Sequence, residues 1–189
     1  MLLIYASSSI VILDANVLYP APLRDFLLQL ANLELYQPKW TEQIQEEWIR
    51  NLLLKRNDLQ RTSLEKTRDA MNAAFPDSNI FNYEETISSL SLPDINDRHV
   101  LAAAIKINAD VIVTFNLKDF PPAYLKSFGI EAQHPDQFVW DLIKNDIQKC
   151  LLALNNQVQS LKNPPKSKED VLNALVRCGL NNSVRDLKK

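Results

Sequence analysis

The sequence predicts an α/β sandwich in which a central parallel sheet is flanked by helices and followed by a C-terminal helical extension. Two observations carry the sheet. Short apolar runs rich in β-branched residues stand at 10–13 and 111–115, too short for buried helices and suited to central parallel strands. Between them lie stretches of helical periodicity at about 21–35, 41–56, 58–75 and 98–107, and the order strand, helices, strand is that of an α/β layer architecture. The extension rests on a third: from about Val139 the pattern is purely helical, with Leu142, Ile143, Ile147, Leu151, Leu152 and Leu154 on one apolar face.

Composition narrows the function. The chain has 189 residues, 46% hydrophobic and 23% charged, enough to bury a core in one domain with an appendage. A net charge of -2 excludes coating nucleic acid or membrane by bulk charge. Only Gly129 and Gly179 occur, which excludes glycine-rich phosphate loops. Cys150 and Cys178 match no ligand spacing and are too few for a disulfide framework, so both read as buried thiols of a reducing cytosol. The apolar opening at 1–6 lacks a basic flank and breaks at Ser7, and no run approaches the length of a membrane span, so a soluble, cytoplasmic protein is expected.

Taken in order, the elements place acids where a parallel sheet binds ligands, at the carboxyl ends of its strands. The first strand runs directly into Asp14, with Asn16 placed to hold it or to turn the chain; capping the next segment is the alternative use. In the helix at 41–56, Ile44, Trp48 and Leu52 form a stripe; Glu47 lies about 60° from Ile44 and borders that buried face, while Glu46 points away. The helix at 98–107 is entered at Asp97, a position equally compatible with an N-cap, and its small residues suit close packing on the sheet. His99 has no second ligand at metal spacing and reads as structural. The strand at 111–115 delivers Asn116 and Asp119 to the edge that holds Asp14, and a weaker third strand lies near Ile130.

In the extension, Asn163, Pro164 and Pro165 end the first helix. Ser167 caps a second, with Asp170 completing a capping box, and Gly179 closes it. Residues 161–189 hold seven Lys or Arg against three Asp or Glu, a local +4 that leaves about -6 for the rest. Three aspartates and a glutamate meeting at one sheet edge require a cation, and oxygen-only ligands favour Mg2+ or Mn2+.

These residues resemble the PIN-domain nucleases, in the branch that includes the VapC-type toxins of bacterial toxin–antitoxin pairs. Four blocks in the right order carry the resemblance: Val11-Ile-Leu-Asp-Ala-Asn-Val17, Trp40 to Ile49, Asp94 to Ile105, and Ala109 to Phe120. It implies a PIN-like three-layer sandwich over residues 1–140 and a helical extension over 141–189. It places the catalytic and metal-binding acids at Asp14, Glu47, Asp97 and Asp119, with Asn16 and Asn116 in support. Many members carry an acid where Asn116 stands, so either Asp119 supplies the fourth carboxylate or three acids work with an amide.

The activity implied is Mg2+- or Mn2+-dependent hydrolysis of RNA phosphodiester bonds by a cytoplasmic toxin, a homodimer held in check by a protein antitoxin. Arg50, Lys55, Arg56, Arg61 and Arg68 either guide the RNA backbone or form a solvated face. Two rival readings are a phosphatase with a strand-end Asp nucleophile, disfavoured by Asn16 where a second Asp is expected, and a PIN-fold binding module without cleavage activity.

Overall fold

The structure is a computed structural model that describes residues 9–189; the apolar opening at 1–6, read above as no targeting segment, lies outside them. The elements in chain order are β1 (Ile10–Leu13), α1 (Ala15–Leu18), α2 (Ala21–Asn32), β2 (Gln37–Thr41), α3 (Glu42–Lys55), α4 (Arg61–Ala74), β3 (Asn79–Ile80) and α5 (Glu84–Ile87). They continue with α6 (Arg98–Lys106), β4 (Val111–Val113), α7 (Pro122–Leu125), β5 (Glu131–Gln133), α8 (Pro135–Asn145), α9 (Ile147–Ser160), α10 (Lys168–Arg177) and α11 (Asn181–Leu187). The five strands form one sheet in the order β3-β2-β1-β4-β5, every pairing parallel, with helices against it and further helices at the C-terminus. This is the α/β sandwich with a helical extension that the apolar runs predict.

The two apolar runs sit at the centre for a plain energetic reason. Val11, Ile12, Leu13, Ile112 and Val113 are fully buried, and, alternating along their strands, together they remove apolar surface from water on both faces of the sheet. The third strand near Ile130 is β5. Periodicity does not reveal β2 and β3: Gln37-Pro-Lys-Trp-Thr41 has no apolar run, and β3 has only two residues. Pro38 is tolerated because β3 pairs only with Trp40 and Thr41, leaving the outer side of Pro38 without a ladder to break. Thr41 then starts α3, its hydroxyl accepting a 3.1 Å hydrogen bond from Ile44 N–H. In α6, Ala102, Ala103 and Ala104 are fully buried and let the helix approach the sheet.

The extension departs from the continuous helix expected after Val139. Asp146 breaks the chain between α8 and α9 and caps α9 by accepting from Lys149 N–H at 3.0 Å. The capping box of Ser167 and Asp170 is present, and Gly179, at φ +91°, closes α10 in the left-handed region that favours glycine. A further helix, α11, follows. The Asp136 carboxylate of α8 accepts from Asn182 N–H and Nδ2 at 3.0 Å and from Ser183 N–H and Oγ–H at 2.9 and 2.7 Å, capping α11 from outside. Trp140 Nε1 donates to Asp186 at 2.7 Å, and α9 packs along α2, Gln157 Nε2 donating to Pro22 O at 2.9 Å. Position 140, the expected division of the chain, falls within α8. Both cysteines are free thiols; Cys150 is buried as expected, but Cys178 is only partly so. No helix among the described residues is long and apolar enough to cross a membrane.

Candidate active site

The strand order decides where ligands can enter. The chain leaves β1 for β2 on one side and later returns to β4 on the other, so the carboxyl ends of β1 and β4 open a crevice at the switch point. Asp14 stands at its floor, with only 4% of its surface exposed. Its Oδ2 accepts from Asn16 Nδ2 at 2.6 Å and from Thr114 Oγ–H at 2.7 Å. Asn16 also donates to Thr114 Oγ at 2.9 Å and accepts from Phe115 N–H at 3.1 Å, tying the two strand ends together. Asp14 makes no side-chain cap, so the capping alternative does not describe it.

Glu47 and Glu46 separate as helical phase predicts. Glu47 Oε2 lies 3.5 Å from Nε2 of the buried His99, whereas Glu46 turns away to Arg61 at 2.5 Å. Asp97 stands at the N-cap position of α6, as expected, but its side chain makes no cap hydrogen bond: it ends a 3-10 turn, Ile95–Asp97, that feeds straight into the helix. Asp94 does the capping by accepting from Asn96 N–H at 2.8 Å. The Asp97 carboxylate is thus released from backbone work, and its buried Oδ2 has no hydrogen-bond partner. Asp119 is buried at the end of a second 3-10 turn, Leu117–Asp119, while Asn116 is exposed.

The four acids lie close enough to feel one another's charge. Burial pushes the Asp97 carboxyl up to about 7, reinforced by the charges of Asp14, Asp94, Asp119 and Glu47. Burial likewise raises Asp14 to about 6; the Thr114 hydroxyl opposes the rise, Glu47 adds to it and His99 counters it weakly. Among the described residues no three His, Cys, Asp or Glu side chains already form a closed coordination sphere. The donor set nevertheless fits a hard divalent ion: it is built of carboxylate oxygens, mutually repelled, one of them a buried oxygen without a partner.

Three contributors escape a reading by acids alone. Thr114 is a fully buried polar residue closing an otherwise apolar strand, a signal present in the sequence. His99, expected to be structural, faces Glu47, and Asp94 adds its field to Asp97; neither proximity is visible without the fold. The basic residues after Glu47 are mostly engaged: Arg56 with Asp58, Arg61 with Glu46 and Glu65, Arg68 with Asp69.

Comparison with known proteins agrees with this geometry. Residues 10–118 match the family described as PIN domain, and residues 135–189 match the family described as VapC50 C-terminal domain. A curated relative, "Putative ribonuclease VapC50" of Mycobacterium tuberculosis, is 38% identical over 95 residues, 50% of this chain and 56% of that protein. The chain therefore spans little more than half the length of that relative. No solved structure matches.

Proposed function

The chain belongs to the PIN-domain family, and on that premise we propose that it is a divalent-metal-dependent endoribonuclease, the toxin of a type II toxin–antitoxin pair. One observation carries the reading: four acids from separate segments act on one another at the sheet's switch point, and a buried oxygen of Asp97 has no protein partner. The name of the curated relative, a ribonuclease, supports RNA as the substrate class. In this reading residues 1–140 form the nuclease unit, residues 141–189 the extension, and a protein antitoxin restrains the site.

Asp14, Glu47, Asp97 and Asp119 would hold Mg2+ or Mn2+, as their oxygen-only chemistry suits either ion. When bound, such an ion neutralises charge as water attacks phosphorus in line and the leaving oxygen departs. Asn16 and Thr114 fix the Asp14 carboxylate in one orientation, so little is reorganised when charge arrives. The buried His99 places its Nε2 3.5 Å from Glu47 Oε2. The Asp97 oxygen without a partner is free to accept a hydrogen bond from a water or ligand. Asn16 is occupied by Asp14, Thr114 and the Phe115 backbone, which leaves it unsuited to the second acid's work in a strand-end phosphatase.

The test is cleavage of a structured RNA by the purified chain with Mg2+ or Mn2+, compared with EDTA and with the Asp14→Asn variant. Metal-dependent cuts that vanish in the variant are expected. Cutting that survives in both controls refutes the proposal.

A further inference from the structure

A polyanion that approaches four carboxylates needs cations within reach of the cleft, and the basic residues that follow Glu47 fall into two groups. Arg56, Arg61 and Arg68 are each held by a neighbouring carboxylate. Arg50 and Lys55 are exposed and, among the described residues, enter no ion pair. Other exposed cations are unpaired as well, Lys106 and Lys126 among them, so freedom alone does not mark a site. The place of Arg50 and Lys55 on α3 does.

Helical phase sets both beside Glu47. Arg50 stands about 60° to one side of it and Lys55 about 80° to the other, with Leu54, 74% exposed, between them. The direction along the helix is fixed by α1, which packs on α3. Glu47 lies within electrostatic reach of Asp14, the residue before α1, and Lys55 Nζ lies 5.4 Å from the ring centre of Tyr19, the residue after it. The two helices therefore leave the cleft side by side, and Lys55 stands about 12 Å beyond Glu47 along α3. The half-buried Tyr19 ring attracts the ammonium and keeps the long Lys55 side chain on the α1 side, with N–H donors left for a further acceptor.

We infer that Arg50, Leu54 and Lys55 form the track along which the RNA backbone leaves the acidic cleft. Arg50 and Lys55 take phosphates, the guanidinium as a two-pronged donor and the ammonium as a point charge, and the exposed Leu54 meets the ribose and base between them. Tyr19 is a positioning residue that acts through Lys55. The identity of the ligand rests on the ribonuclease reading; the alignment of the cations with the cleft does not.

The test is fluorescence anisotropy of a labelled, unstructured RNA oligonucleotide titrated with the full Asp14→Asn chain in EDTA over a series of NaCl concentrations. Saturable binding is expected. Adding R50A/K55A should weaken it at least tenfold and lower the slope of log affinity against log salt by about 1.4, which is about 0.7 for each of two phosphate contacts. K106A/K126A removes the same charge from the opposite edge of the sheet, where α6 ends and β5 is about to begin, and should leave the slope unmoved. Tyr19→Leu should weaken binding about threefold, and Tyr19→Phe, which keeps the ring, should restore it. With Asp14 intact, R50A/K55A should act on cleavage in Mg2+ through KM more than through kcat. No saturable binding, an unmoved salt slope in folded R50A/K55A, or an equal loss in K106A/K126A overturns the track, and Tyr19→Leu that binds as before overturns the part given to Tyr19. Binding along the track without Mg2+-dependent cleavage refutes the ribonuclease reading alone, and cleavage whose KM ignores R50A/K55A refutes the track alone.

Discussion

Replacing Asp14 by Asn should make the protein more stable while abolishing its activity. Burial holds the Asp14 carboxyl at about 6, against 3.8 for an ordinary aspartate. A shift of that size corresponds to about 3 kcal/mol by which the charged form disfavours the fold. Because the folded-state value is the raised one, wild-type stability is fully present below pH 3.8 and declines as pH rises through about 6. Asparagine keeps the shape and still offers an oxygen to Asn16 and Thr114, so it removes the charge without opening a cavity. In EDTA at pH 7.5 the variant should gain about 2 kcal/mol, a rise in Tm of roughly 4 to 8 °C for a chain of this size. The gap should close at pH 4, where the wild-type carboxyl is protonated in the fold, and narrow in Mg2+, which binds the charged wild-type site. Thermal melts at both pH values measure this. A variant less stable than wild type at pH 7.5, or a gap that persists at pH 4, refutes the reasoning.

Glu47→Gln should lower the RNA cleavage rate at least a hundredfold, while Glu46→Gln, which loses only an exposed ion pair with Arg61, should stay within about twofold; equal losses in single-turnover assays would reverse the helix assignment. Asp119→Asn should weaken Mg2+ binding in a calorimetric titration as strongly as Asp14→Asn if the buried Asp119 is a ligand. A large loss in Asn116→Ala with none in Asp119→Asn would instead favour three acids and an amide. Thr114→Val deletes the hydroxyl that donates to Asp14 at 2.7 Å and should cut the rate about tenfold, with the pH profile moved upward because that bond lowers the Asp14 value; an unmoved profile would show that Thr114 serves packing only.

The β-branched runs at 10–13 and 111–115 disclose the central strands because both faces of a parallel sheet are buried, and burial is written in composition. Glu47 is distinguishable from Glu46 because helical phase needs only the neighbouring stripe. β2 is hidden for the opposite reason: Gln37, Pro38 and Lys39 owe their strand geometry to pairing with β1, an interaction between distant segments. Asp97 shows the same limit. Its spacing suits a cap, and only the fold reveals that Asp94 does that work and leaves Asp97 unengaged. His99 lacks a ligand at short range because its neighbour, Glu47, comes from another helix.

The carboxylate of Asp136 has a reach beyond its own helix. It sits in the first turn of α8 and satisfies the first turn of α11, so one charge serves two helix starts. Upstream, residues 133–136 run without interruption from Asp136 to Gln133, whose carbonyl receives Thr114 N–H at 2.9 Å, and Thr114 holds Asp14. The last helix and the acidic cleft are thus two ends of one tether. A nonsense change just before Asn181 would strip Asp136 of its four donors and uncover a carboxylate that is only 6% exposed while α11 lies on it, so the start of α8 and the strand before it would lose the contact that fixes them. Such a lesion would be scored as a catalytic defect although every acid of the cleft is intact, and a survey of inactive alleles confined to the first 140 codons would miss its cause.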